Sequence, residues 1–422
     1  MQKYWPHKNS SYLIFLYFMT LSLSCKEEEI SESIVDDKYT IYYSINNKTA
    51  KERLDSIMYN LDAPQHPLER FKIIHISDPH LSEWSSDNHF QNPNNLKEAV
   101  MFANQKDLKI NMLVATGDFI GNYQKTNKKE AFNYLNSFIH YFYQANQIPS
   151  FLCLGNHDTN MLSYHVNNHI SKKEIYDILK QAPNYIIFRP EGENYYYTDI
   201  IGPEQNYIRL ISLDMTDQDS FIYDVQHDAI FSQKQIDWLC NIALQKNMTN
   251  RHSVIILNHY PFQYYSKSGN TFLCDGDFVH SWHMIPEIIE AFRKKEQIEN
   301  VYENKYHANS PIHVKADFQT VPGEFICYLG GHAHLTTQFE IEGLANQSSI
   351  LPRQNMLLCT NQSPSEVGIM YNNVLREKQS IYSNSFCIYA IDIKQRKIYI
   401  TFFGAYKPIN TEQYSLIQEI SY

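Results

Sequence analysis

Five apolar runs in this 422-residue chain end in the same manner. Ile73–Leu81 (IIHISDPHL) runs into Asp78-Pro79-His80, and Asn111–Asp118 (NMLVATGD) runs into Gly117-Asp118. Pro149–Asp158 (PSFLCLGNHD) ends in Gly155-Asn156-His157-Asp158, and Ser253–His259 (SVIILNH) ends in His259. Phe325–His334 (FICYLGGHAH) ends in Gly330-Gly331-His332-Ala333-His334. Short aliphatic and β-branched runs bounded by Gly or Asn predict buried strands.

Helical spacing fills the gaps between these runs. Asn95–Gln105 carries Leu96, Ala99, Val100 and Ala103 on one side, and residues 128–146 make a second amphipathic helix. Ser171-Lys172-Lys173-Glu174 is a capping box that opens a short helix to Lys180. Ser232 caps a helix over Gln233–Gln245, with Ile236, Leu239 and Ile242 toward a core, and Trp282–Lys294 is helical. Tyr195–Ile200 and Tyr207–Met215 predict a hairpin pair of strands. Ile350–Cys359, Ser385–Ile393 and Lys397–Phe403 predict strands, the last two joined as a hairpin by Lys394-Gln395-Arg396. Lys295–Val321 is polar and predicts irregular chain, within an insertion spanning residues 262–324. Strands alternating with helices indicate an α/β layered domain over residues 71–422.

The strand ends carry the chemistry. Asp and His are expensive to bury without partners, and both ligate divalent metals. Any one of these ends is equally a turn acid or a surface histidine. Five strand ends that all deliver Asp, Asn or His have no comparably simple structural explanation. Glycine at the strand ends lets the backbone turn sharply and approach a ligand closely.

The order Asp-x-His, Gly-Asp, Gly-Asn-His-Asp, His, Gly-His-x-His resembles the calcineurin-like metallophosphoesterase superfamily. The resemblance covers Asp78 and His80, Gly117 and Asp118, Gly155 to Asp158, His259, Gly331, His332 and His334, from about residue 71 to 334. It implies a four-layer α-β-β-α metallophosphoesterase sandwich holding two divalent metal ions. By this likeness Asp118 bridges the pair, Asp78, His80 and His334 complete the first metal, and Asn156, His259 and His332 complete the second. Mixed N/O ligands suit Mn, Fe, Zn or Ni rather than Ca or Mg. Two adjacent cations acidify a water and clamp phosphate oxygens, which is what hydrolysis of a phosphate ester requires at neutral pH. His157 is implied as a donor to a phosphoryl oxygen or to the leaving alkoxide. Asp158 either holds the His157 imidazole in one tautomer or is a turn acid. His75, inside the first strand, reads as structural, and His140, His165, His169, His280 and His313 match no motif.

Composition bounds the partners. A formal net charge of -10 argues against a basic nucleic-acid-binding face, so a phosphate ester must be attracted locally. Tyr264, Tyr265, Trp282, His283 and Tyr306 in the insertion either line a substrate pocket or pack its loops. Lys3 and Lys8 precede an apolar run, Tyr12–Leu23, too short to span a bilayer comfortably. It ends in Leu21-Ser22-Leu23-Ser24-Cys25, which resembles a bacterial lipobox with Ser22 where Leu is usual. Cys25 would then carry the lipid that anchors the protein to a membrane. Cys25-Lys26-Glu27-Glu28-Glu29 resembles the signal that sends some lipoproteins to the outer face of the outer membrane. A cleaved signal peptide and an uncleaved anchor are the alternatives, and residues 26–70 read as a tether with one added strand at Tyr39–Ser44. Cys153 and Cys327 lie inside apolar strands and read as core residues, and no obligatory disulfide is expected among the seven cysteines. The competing function is a non-catalytic binding lipoprotein on a phosphoesterase scaffold, since fold does not fix function. The intact ligand series argues against it.

Overall fold

The computed structural model describes residues 70–81, 93–121, 126–145, 148–160, 166–179, 186–217, 231–262, 283–303, 311–334, 336–342, 350–359, 385–404 and 417–422. Cys25, the tether, the Tyr39–Ser44 strand, His165, His280, Tyr264, Tyr265, Trp282 and Tyr306 lie outside them.

The five runs form strands as their apolar content predicts: β1 (Phe71–Ile76), β2 (Met112–Thr116), β3 (Ser150–Cys153), β6 (His252–Leu257) and β9 (Glu324–Gly330). The others are β4 (Tyr196–Ile201), β5 (Tyr207–Ser212), β7 (Gln297–Tyr302), β8 (Ile312–Asp317), β10 (Thr337–Glu342), β11 (Ile350–Leu358), β12 (Ser385–Asp392), β13 (Lys397–Gly404) and β14 (Ile417–Ser421). Twelve of them build two six-stranded sheets, ordered β14-β13-β12-β1-β2-β3 and β10-β11-β9-β6-β5-β4. Within the first sheet β1, β2 and β3 are parallel. Within the second, β11, β9, β6 and β5 are parallel. All five motif-bearing strands therefore end on carboxyl edges, where α/β sheets place their ligands. The expected hairpins β4–β5 and β12–β13 are both antiparallel.

Alternation along the strands separates three cores. Phe71, Ile73, Met112 and Val114 of the first sheet meet Ile208, Leu210, Ile255 and Leu257 of the second. Ile74, Ile76 and Leu113 face the other way, against helices α1 (Pro93–Ala103), α2 (Lys128–Phe142) and α3 (Lys172–Leu179). Val254, Ile256 and Tyr328 face away from the first sheet, against α4 (Gln233–Trp238) and α5 (Met284–Lys294). Helix, sheet, sheet, helix is the four-layer sandwich expected. The Ser171–Glu174 box is present: Ser171 N donates to Glu174 Oε2 at 2.8 Å, and Glu174 N donates to Ser171 Oγ at 3.3 Å.

Two expectations need correction. Lys295–Val321 contains an antiparallel pair, β7–β8. In β8, Ile312, Val314 and Ala316 are buried while His313, Lys315 and Asp317 are exposed, so a strand pattern sits inside a polar stretch. The helix from Gln233 also changes character, becoming a π turn at Leu239–Ala243. The wider turn shifts the phase of the face. Ala243 is buried and Ile242 turns outward, 39% exposed. The five described cysteines, Cys153, Cys240, Cys327, Cys359 and Cys387, are buried free thiols.

Candidate metal centre

The loops leaving the carboxyl edges are tightly bent. Asp78, His80, Asp118, His332 and His334 all hold left-handed φ, between 48° and 66°. Each such non-glycine residue costs about 1–3 kcal/mol, so the strain is gathered where the candidate ligands lie. Pairing continues past the strands: Asp78 N donates to Gly117 O at 3.0 Å and His80 N to Asp118 O at 3.1 Å. The second sheet joins through His332 N, which donates to Asp78 Oδ1 at 2.9 Å. Close approach explains two of the glycines. A Cβ on Gly155 would lie 2.2 Å from Asp118 Oδ1, and one on Gly331 would lie 1.8 Å from Ser77 Oγ.

Two donor sets result. Asp78, His80, Asp118 and His334 bring one ligand atom each within 4.8 Å of one another, and so do Asp118, His259 and His332. Asn156 joins the second, its Oδ1 3.2 Å from His332 Nδ1. Asp118 belongs to both sets. His80 Nε2 and His334 Nε2 face each other at 2.9 Å. His259 tests the fit to a cation most sharply. Its Nδ1 lies 2.6 Å from Thr116 O, so Nδ1–H donates there and the Nε2 lone pair points at Asp118 Oδ2, 3.1 Å away. That Nε2 is buried, and the carboxylate oxygens it faces are Asp118 Oδ2 and, at 4.0 Å, Asp78 Oδ1. Two acceptors so close need a cation or a proton between them.

The electrostatics of the chain's own groups agree. Burial pushes Asp78 up to about 8, with Asp118 adding to the rise and His259 opposing it. Burial also raises Asp118, but His259 and His157 outweigh it and hold that carboxyl well below its usual range. Burial lowers His259, yet Asp118 and Asp78 carry it up to about 9. His80 and His332 are held well below 6.5 by burial and neighbouring imidazoles, and burial takes His334 down to about 4. Those three rings are neutral at pH 7, the state in which imidazole ligates a metal.

The sequence model of the calcineurin-like phosphoesterases matches residues 71–335. The chain belongs to that family. No curated protein matches it. Among solved structures, it is similar to a dimetal phosphatase from Danio rerio at 11% identity and a TM-score of 0.47, over 84% of this chain and 99% of that one. It is also similar to PhoD at 11% identity and a TM-score of 0.43, over 80% of this chain and 66% of that one. As a calcineurin-like phosphoesterase it is a hydrolase of phosphoric esters, and its family implies divalent metal ions.

In this phosphoesterase His157 stands beside the donor sets. Its backbone N donates to Asp118 Oδ1 at 2.9 Å, and its ring packs edge-on to His80, centroids 4.7 Å apart. The His157 side chain keeps 20% of its surface exposed while Asp118 is sealed, so it can reach an incoming ligand. Asp158 is placed otherwise than in the tautomer-holding reading. Its carboxylate accepts from the backbone N of Gly155 at 2.7 Å, Phe119 at 2.7 Å, Asp118 at 3.0 Å and Ile120 at 3.4 Å. It ties the Asp118 loop to the Asn156 loop. Chain direction decides this: Asp158 follows a turn closed by its own N to Gly155 O, which aims the side chain back at the β2 loop.

Three residues that sequence reasoning missed support the site. Thr116 O anchors His259, Ser77 Oγ donates to the same carbonyl at 2.8 Å, and the Tyr260 ring lies 3.9 Å from the His332 ring. The available signal was a polar residue, Thr116 or Ser77, closing an otherwise apolar run. His140 and His313 are exposed, and His283 packs 5.3 Å from Tyr302.

Proposed function

We propose that this phosphoesterase hydrolyses phosphomonoesters or phosphodiesters at a dinuclear site, with Mn, Fe or Zn as the cations. The observation that supports it is the sharing of Asp118 between two buried donor sets drawn from both sheets. Bound there, two divalent cations would supply an acidified water and neutralise charge on the phosphoryl oxygens. The chain's own groups do the rest. Asp78 and Asp118 are the only carboxylates in the two sets, so two dications keep the pocket net positive and attract an anionic ester. His157 Nε2 holds a proton for a phosphoryl oxygen or the leaving alkoxide. Asp158 keeps the Asp118 and Asn156 loops in register. The test is a panel of mono- and diesters offered to purified protein reconstituted with Mn, Zn or Fe. Turnover that disappears on chelation supports the reading. Metal-loaded protein inert toward every ester would favour a binding role instead.

We further propose that a lipid on Cys25 holds the enzyme at the cell envelope, facing outward. The apolar run at Tyr12–Leu23 and the overlapping Leu21–Cys25 motif support this. Cys25→Ser should move the protein from the membrane fraction to the soluble fraction, and protease added to intact cells should digest the wild type. Unchanged fractionation of the variant would defeat the anchor.

A further inference from the structure

His75 is fully buried between the two sheets, in a layer otherwise made of Ile73, Val114, Ile255 and similar side chains. An imidazole there is costly unless both nitrogens are bonded, and both are. Nδ1 lies 2.9 Å from Tyr389 Oη, and Nε2 lies 2.8 Å from Thr116 Oγ1. A neutral imidazole has one donor and one acceptor. If Tyr389 O–H donates to Nδ1, Nε2–H donates to Thr116, and the reverse holds for the other tautomer. Burial pushes His75 down to about 3, so the ring stays neutral. The chain does not stop at Thr116. The carbonyl of that residue accepts from His259 Nδ1 at 2.6 Å. Tyr389, His75, Thr116 and His259 therefore form one line, running from a strand of the first sheet to a ligand carried by the second.

We propose that His75 is a positioning residue for the second cation site, acting through Thr116 to fix the side chain of His259. The proposal rests on the two-metal reading above. Its distinctive consequence is asymmetry. The Asp78 carboxylate is held by the His332 N–H, whereas His259 Nδ1 depends on the Thr116 carbonyl. Loosening Thr116 should weaken the set of Asn156, His259 and His332 and spare the other. Bonds of this kind to a metal-ligating histidine are typically worth about 10–100-fold in metal affinity.

The experiment is calorimetric titration of the metal-stripped full-length chain with Mn or Zn, alongside thermal melts without metal. Wild type should take up two ions; fewer than two would refute the dinuclear reading itself, separately from this inference. His75→Leu should weaken one binding event by about 10–100-fold and leave the other within about twofold. The weakened event should be the one abolished by His332→Ala and retained by His80→Ala. His75→Gln, which keeps a donor and an acceptor, should recover most of the loss. Thr116→Val should reproduce it, and His75→Leu combined with Thr116→Val should be no worse than either alone. Equal weakening of both events, no weakening of either, or additive losses in the double variant would overturn the proposal. If His75→Leu does not fold, Thr116→Val alone decides between one weakened event and two.

Discussion

Asp158→Ala removes the acceptor on which the backbone of two ligand loops converges. Three of its bonds are short, at 2.7, 2.7 and 3.0 Å, and the fourth is 3.4 Å. Bonds to a charged group contribute about 1.5–3 kcal/mol each, so the three sum to roughly 6 kcal/mol. Against this stands the burial of the carboxylate next to Asp118, which raises its pKa from 3.8 to about 7. These two effects oppose each other, and the net loss from leaving the buried donors unpaired is about 1–3 kcal/mol, a fall of about 1–4 °C in melting temperature for a domain of this size. Asp118 and Asn156 lie in the freed loops, so metal affinity should fall by about 10–100-fold. The assay is a melt, a metal titration and a pH–rate profile at saturating metal. Because Asp158 bonds backbone and not the His157 ring, the limb of the profile assigned to His157 should stay within about half a pH unit. A shifted limb with unchanged metal affinity would refute the reasoning and restore Asp158 as the orienter of His157.

Asp118→Asn should abolish binding of both metals and nearly all turnover, as measured by metal content and ester hydrolysis; retention of two ions would contradict its shared role. His157→Ala should keep both ions and lose roughly 10²–10⁴ in turnover, and an empty site would contradict the division between ligands and proton donor. Metal-free protein should lose stability as pH rises from 7 to 9, read as melting temperature in chelator; below about 6.5 the depressed His75, His80, His332 and His334 act with the opposite sign. Asp78 at about 8, Asp158 at about 7 and His259 at about 9 all bind a proton more tightly folded than unfolded, so their contributions are present at low pH and lost as pH rises through those values. Asp118, held low, has the opposite sign and matters only as pH falls below its usual range. Added Mn should flatten the dependence, and a metal-free melting temperature that climbs between pH 7 and 9 would contradict the charge scheme.

The parts of this molecule legible in the sequence were those governed by local pattern. An apolar run closing on a ligand residue marks a strand and its carboxyl edge together, so β1, β2, β3, β6 and β9 were readable with their functional ends. What pattern could not show was orientation. Asp158 sits one residue from His157, yet its side chain turns to the β2 loop, because the turn closed at Gly155 sets its direction. The role of Thr116 lies in its carbonyl, which carries no side-chain signature. β8 was hidden because Ile312, Val314 and Ala316 alternate with charged or polar neighbours over only six residues. Ile242 obeyed helical spacing until a π turn changed the phase. Sheet order was beyond local pattern altogether, since β12 pairs with β1 across the greater part of the chain, with Cys387 opposite His75.

The central claim is that Asp118 serves two cations at once. Anomalous diffraction from crystals soaked in Mn, recorded at the metal edge, tests it without reference to any substrate. Two peaks flanking Asp118 are expected, one among Asp78, His80 and His334 and the other among Asn156, His259 and His332. A single peak, or a second one away from His259 and His332, would contradict it.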